Sequence, residues 1–165
     1  MCTDDNTAKN EPVPEQGETI VSQKISVEPM TCGAVEAVYQ SPNKGRVVLY
    51  LRNNNTDILI TVSARFHWYT WKNSLNLNSR PADGPWQQES RPNGFPFPCC
   101  GYVTSITVRV EIGDGEFIIS ANGIEIAKYP YREDLHPPVT EILYFFGDTG
   151  ASKKAKLESL SVYYC

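Results

Sequence analysis

From residue 102 to residue 129, apolar and polar residues alternate so regularly, and turn residues interrupt them so often, that the stretch reads as an antiparallel β-meander. Ile106, Val108, Val110 and Ile112 alternate with Ser105, Thr107, Arg109 and Glu111. That period of two puts one set on a core face and the other in water. Gly113-Asp114-Gly115 turns the chain into 116–121, and Asn122-Gly123, the strongest short hairpin signal, turns it again into 124–129. Similar short runs rich in Val, Ile, Tyr and Thr occupy 19–26, 34–39, 46–52, 58–67, 74–78, 87–91, 140–146 and 156–164. No long window carries the apolar stripe of a helix. With 11 Gly and 12 Pro to supply turns, about ten or eleven such strands imply an all-β chain folded as a sandwich.

The length of 165 residues suits one domain with a tail. Residues 1–17, which include Pro12-Val13-Pro14 and offer little to bury, read as a flexible acidic tail, and 18–165 as the folded domain. Charge divides in the same way. The first 36 residues hold seven acids and two lysines, a balance of -5, and the remainder holds twelve acids and thirteen bases, a balance of +1. A near-neutral body offers no footprint to a phosphate backbone, so nucleic acid is not an expected partner; Lys153, Lys154 and Lys156 read as a solvated turn. No run approaches the roughly 18 apolar residues of a membrane helix, so membrane insertion is not expected. Met1-Cys2-Thr3-Asp4-Asp5 lacks the basic start and apolar run of a secretory signal, so a cytoplasmic location is expected. Five cysteines without a C-x-x-C pair point to free thiols, Cys99 and Cys100 among them. His67 and His136 are the only histidines, and this scarcity argues against a metal centre and against histidine-based catalysis. No metal, cofactor or catalytic residue is assigned.

Within 58–67 the parity separates two surfaces. Ile58, Ile60, Val62, Ala64 and Phe66 make the core side, while Thr61, Ser63, Arg65 and His67 take the other, after a first apolar Leu59. The next strand repeats this, with Leu75 and Leu77 inward and Ser74, Asn76, Asn78 and Arg80 outward. Trp86-Gln87-Gln88-Glu89-Ser90-Arg91 then adds an indole, a carboxylate and a guanidinium. A pyranose presents vicinal hydroxyls, which suit planar hydrogen bonds from Arg, Asn and Glu, and a patch of C–H groups that lies on an aromatic ring. The same residues also suit a solvent-facing strand surface, with Trp86 closing the sandwich edge. The pattern alone leaves both readings open.

The order and spacing of these residues resemble the galectin family of β-galactoside-binding lectins. In that family a strand bearing His-x-Asn-x-Arg is followed by a strand bearing Asn and then by Trp-Gly-x-Glu-x-Arg. Here Thr61-Val62-Ser63-Ala64-Arg65 holds the first place, Asn78 with Ser79 the second, and Trp86 to Arg91 the third. The Asn122-Gly123 hairpin, Tyr129-Pro130-Tyr131-Arg132 and 142–148 also resemble the family's closing strands.

The resemblance implies a concanavalin-like jelly roll of two antiparallel sheets and a metal-independent lectin that recognises β-galactosides or a related β-linked saccharide. It implies that Arg65 and Asn78 bind galactose hydroxyls, that Trp86 stacks on the sugar, and that Glu89 and Arg91 hold the adjoining sugar. It also implies that Glu89 orients Arg65 and Arg91. Thr61 and Ser63 stand where the family has His and Asn, and Gln87 stands for its Gly; the two short hydroxyls reach less far than the side chains they replace. His67 lies two residues beyond Arg65, about 6.6 Å along the strand, and reads as a solvated strand end. The aromatic 66–71 segment reads as a connection that either adds stacking surface or packs over a sheet edge.

A glycosidase needs two carboxyl groups roughly 5 to 9.5 Å apart, and Glu89 has no evident partner. The partners implied are glycans of glycoproteins or glycolipids. A homodimer would supply avidity, and export without a signal peptide would supply access to glycans outside the cell. The alternative is a galectin-like protein-interaction module that has lost or altered its sugar binding.

Overall fold

A computed structural model describes residues 19–68, 71–92, 105–148 and 155–165. Its strands are β1 (Thr19–Met30), β2 (Gly33–Gln40), β3 (Gly45–Arg52), β4 (Ile58–Trp68), β5 (Trp71–Arg80), β6 (Ser105–Ile112), β7 (Glu116–Ala121), β8 (Ile124–Pro130), β9 (Val139–Asp148) and β10 (Lys156–Tyr163). They form two five-stranded antiparallel sheets, in the orders β1-β9-β3-β4-β5 and β10-β2-β6-β7-β8. The acidic segment 1–17, Cys2, the Cys99-Cys100 pair and Lys153-Lys154 lie outside the described residues.

The meander predicted from alternation is β6, β7 and β8. Its Asn122-Gly123 turn has φ of 50° at Asn122 and 81° at Gly123, the pair of positive values that a two-residue hairpin of matching twist requires. The inner faces supply Val47, Leu49, Leu51, Ile60, Val62, Leu75 and Leu77 from one sheet, and Val35, Tyr39, Ile106, Val108, Val110, Phe117 and Ile119 from the other, all buried in one core. Alternation along each strand is what lets the two faces meet dry. One polar pair crosses between the sheets: the Ser79 and Tyr129 hydroxyls bond to each other.

Three expectations are corrected. Residues 87–91 form no strand. They make a bridge to β5 only at Leu77–Ser90, because Pro81, Pro85 and Pro92 bracket the segment and proline cannot donate to a ladder. The aromatic 66–71 segment is largely strand rather than connection, since β4 runs to Trp68 and β5 begins at Trp71, the two being register partners. Finally, Cys32 and Cys165 are not free thiols; they form a disulfide with Cα atoms 5.9 Å apart. The sequence hides this pair because its members are 133 positions apart. Pairing of β10 with β2, which sets Tyr163 opposite Ala34, carries the chain end to the β1–β2 turn. Gly33 makes the approach possible: its φ is 102°, and a Cβ there would overlap the Tyr163 carbonyl oxygen.

Candidate functional site

The register of β3, β4 and β5 sets three rows of side chains across one face. Tyr50, Thr61 and Asn78 form one row, Val48, Ser63 and Asn76 the next, and Arg46, Arg65 and Ser74 the third. Directly opposed residues of an antiparallel pair share a face, so the polar set predicted on β4 does meet the one predicted on β5. His67 belongs to β4 by its backbone; its side chain lies outside the described part.

The segment after β5 folds back over these rows. Leu77 and Ser90 exchange backbone hydrogen bonds of 2.8 Å, and the Gln87 N–H donates to the Ser79 carbonyl at 3.0 Å. Arg80 Nε donates to the Gly84 carbonyl at 3.0 Å, and the Ala82 N–H to Asp57 Oδ1 at 2.8 Å. These contacts bring Trp86, Glu89 and Arg91 beside β4 and β5.

Glu89 grips two guanidinium groups. Arg65 Nη2 donates to Oε1 at 2.9 Å, while Arg91 Nε and Nη2 donate to Oε2 at 3.2 and 3.0 Å. Burial lowers the Arg65 pKa to about 10; Glu89 opposes that fall, and the charges of Arg46 and Arg91 add to it. Arg65 therefore stays cationic at neutral pH, and Glu89 stands between two positive groups as an acceptor. Asn78 is equally fixed: its Nδ2 donates to the Gln87 carbonyl at 2.9 Å, and its Oδ1 accepts from the Ser79 N–H at 2.8 Å and from Arg132 Nη1 at 3.2 Å.

Trp86 is 42% exposed. Its ring centroid is 6.1 Å from that of Tyr50, which in turn meets Phe145 edge-on at 5.2 Å. Arg80 lies 5.6 Å over the indole and Arg46 lies 5.2 Å over Phe145. Tyr50 and Arg132 were not predicted as part of this surface. The Tyr50–Thr61 register could have pointed to Tyr50; no local signal points to Arg132.

Thr61 and Ser63 sit lower than parity suggested. Both are buried, and their hydroxyls, like Asn76 Nδ2, make no hydrogen bond among the described residues. Ser74 Oγ donates to Asn76 Oδ1 at 2.7 Å beside them. Together these residues make a polar floor below a rim of Arg65, Glu89, Arg91, Asn78 and Trp86. Among the described residues no group of three or more His, Cys, Asp and Glu is placed to hold a metal ion.

A five-on-five sandwich that carries a fixed fork of guanidinium and carboxylate groups beside an exposed indole has the makings of a sugar-binding face. The model of the galactoside-binding lectin family matches residues 20–150, and the chain belongs to that family. It is 32% identical over 103 residues to a galactose-binding lectin of Chondrilla caribensis, a match that covers 58% of this chain and 70% of the relative. A tetrameric galectin from the ball sponge Cinachyrella sp. superposes with a TM-score of 0.85 at 61% identity, over 87% of this chain and all of the other. Toad ovary galectin in complex with thio-digalactose shares the fold at 21% identity, with a TM-score of 0.67 over 86% of this chain and 97% of the other.

Proposed function

We propose that this chain is a lectin, not an enzyme, that binds β-galactosides without a metal. In this reading Arg65, Asn78, Trp86, Glu89 and Arg91 touch the saccharide. The observation that carries it is the Glu89 fork: both guanidinium planes are held by 2.9 to 3.2 Å bonds beside an exposed Trp86. Donors held in place lose little freedom when the sugar arrives, and the indole offers its face to the sugar's C–H groups. Thr61 and Ser63 form the floor beneath these contacts, with their hydroxyls buried. The Cys32–Cys165 disulfide favours work in an oxidising space outside the cytosol. Avidity comes from assembly of copies, as in the tetrameric ball-sponge galectin.

The test is a glycan array on the purified protein and on Trp86→Ala. Retention of galactosides by the first and loss by the second is the expected result. A wild-type protein that binds no glycan overturns the proposal. The buried Thr61 and Ser63 hydroxyls favour one other reading, a protein-interaction module without sugar binding, and a blank array would support it.

A further inference from the structure

A second polar place lies in the core, away from the saccharide face. Tyr39 of β2 and Tyr144 of β9 belong to opposite sheets and meet in the same buried cluster. They are 1% and 6% exposed, and neither hydroxyl makes a hydrogen bond among the described residues. The strands around them leave little to turn to. β2 lies between β10 and β6, and β9 between β1 and β3, so the backbone groups near both phenols are engaged in ladders on either side. A phenol hydroxyl is both donor and acceptor, and buried groups of this kind rarely go without a partner.

The two hydroxyls share a cavity. Its other walls are Val47, Leu49, Val62 and Ala64 from one sheet and Ala37 and Val108 from the other. About 10 Å³ is open there to the centre of a water-sized sphere, which is room for one water molecule. Aliphatic walls offer nothing to an ion, so a guest must be small and neutral. Burial, and then the nearby Tyr144, raise the Tyr39 pKa, which puts the two phenols within electrostatic reach of each other.

We propose that this cavity is a binding site for one water molecule, held between Tyr39 and Tyr144 as a hydrogen-bonded bridge from one sheet to the other. One phenol O–H donates to the water, and the water donates to the other phenol oxygen. A wholly apolar cavity stays dry; the pair of phenols is what makes this one a site. Val62 and Ala64 alternate along β4 with Thr61, Ser63 and Arg65, so the bridge stands directly behind the polar floor of the outer face.

The test is a pair of high-resolution crystal structures, of the wild type and of Tyr39→Phe/Tyr144→Phe, with urea unfolding of both and of each single variant. In the wild type one ordered water is expected within hydrogen-bond distance of both hydroxyls. In the double variant that density is expected to vanish. Each single variant leaves the water and the other phenol a bond short, and should lower the folded-to-unfolded ratio about tenfold. The double variant keeps no orphaned hydroxyl and should lie within about threefold of the wild type, far from the product of the single effects. A wild-type cavity without ordered water, or phenols bonded directly to each other, overturns the proposal whether or not the variants fold. A water that persists in the double variant overturns it as well, and so does strict additivity of the two single changes.

Discussion

Replacing Glu89 with alanine removes one carboxylate that holds two guanidinium groups. The side chains of Arg65, Glu89 and Arg91 are 11%, 24% and 27% exposed. The Arg65 contact therefore lies near the buried limit, where loss of one partner costs about 3 to 5 kcal/mol. The Arg91 contact lies nearer the exposed one, where about 0 to 1 kcal/mol is usual. Partial exposure of Glu89 lowers the first figure, and repulsion of Arg65 by Arg46 and Arg91 raises it, which leaves a net loss of about 3 kcal/mol. For a domain of this size that is a fall in Tm of about 6 to 12 °C, readable by scanning calorimetry. Adding Arg65→Met should return at least half of the loss, because an apolar stem then replaces a buried charge without its carboxylate. Both variants should lose galactoside binding. A cost under about 1 kcal/mol, or a double variant less stable than Glu89→Ala alone, refutes the reasoning.

Thr61→His with Ser63→Asn should raise affinity for lactose about tenfold, since each longer side chain adds a direct hydrogen bond of about 0.5 to 1.5 kcal/mol; calorimetry showing unchanged or weaker binding contradicts the floor assignment. Alkaline pH should unfold the protein. Burial pushes Tyr144 up to about 12 and raises Tyr39, Tyr129 and Tyr131 as well. The unfolded chain then loses these protons first, so stability is full below pH 10 and falls as pH climbs toward 12, by about 3 kcal/mol for Tyr144 alone. Arg65, lowered to about 10 in the fold, works the other way over the same window but is one group against four. A urea midpoint that holds constant through this range counts against the buried phenols. Cys165→Ser should lower the urea midpoint in step with a loss of about 2 to 5 kcal/mol, and dithiothreitol should do the same to the wild type; no change in either contradicts a stabilising disulfide.

What was readable in the sequence was local. Ile106 to Ile112 and Asn122-Gly123 gave the meander because a period of two and a two-residue turn are properties of neighbours. Parity likewise put Thr61, Ser63 and Arg65 on one side of β4 and Asn78 on the matching side of β5. It could not give their depth, because Glu89, which covers Arg65, lies 24 residues away. Trp86 to Arg91 alternates like a strand, yet its prolines leave it one bridge to β5. Tyr50 enters the site only through hairpin register, and Arg132 reaches Asn78 across 54 residues. The Cys32–Cys165 bond needed β10 to be placed beside β2 before the two sulfurs could be paired.

That bond also changes what the chain is as a covalent object. From Cys32 to Cys165 the backbone and the disulfide close a ring that contains nine of the ten strands among the described residues, with β1 in its pendant arm. A protease that cuts once in an exposed connection of the ring, such as 81–92, opens the loop without releasing a piece. The two halves stay tethered through the sulfurs, and their sheet partners remain at hand to re-form. A nicked molecule of this kind travels as one body until a reductant separates it.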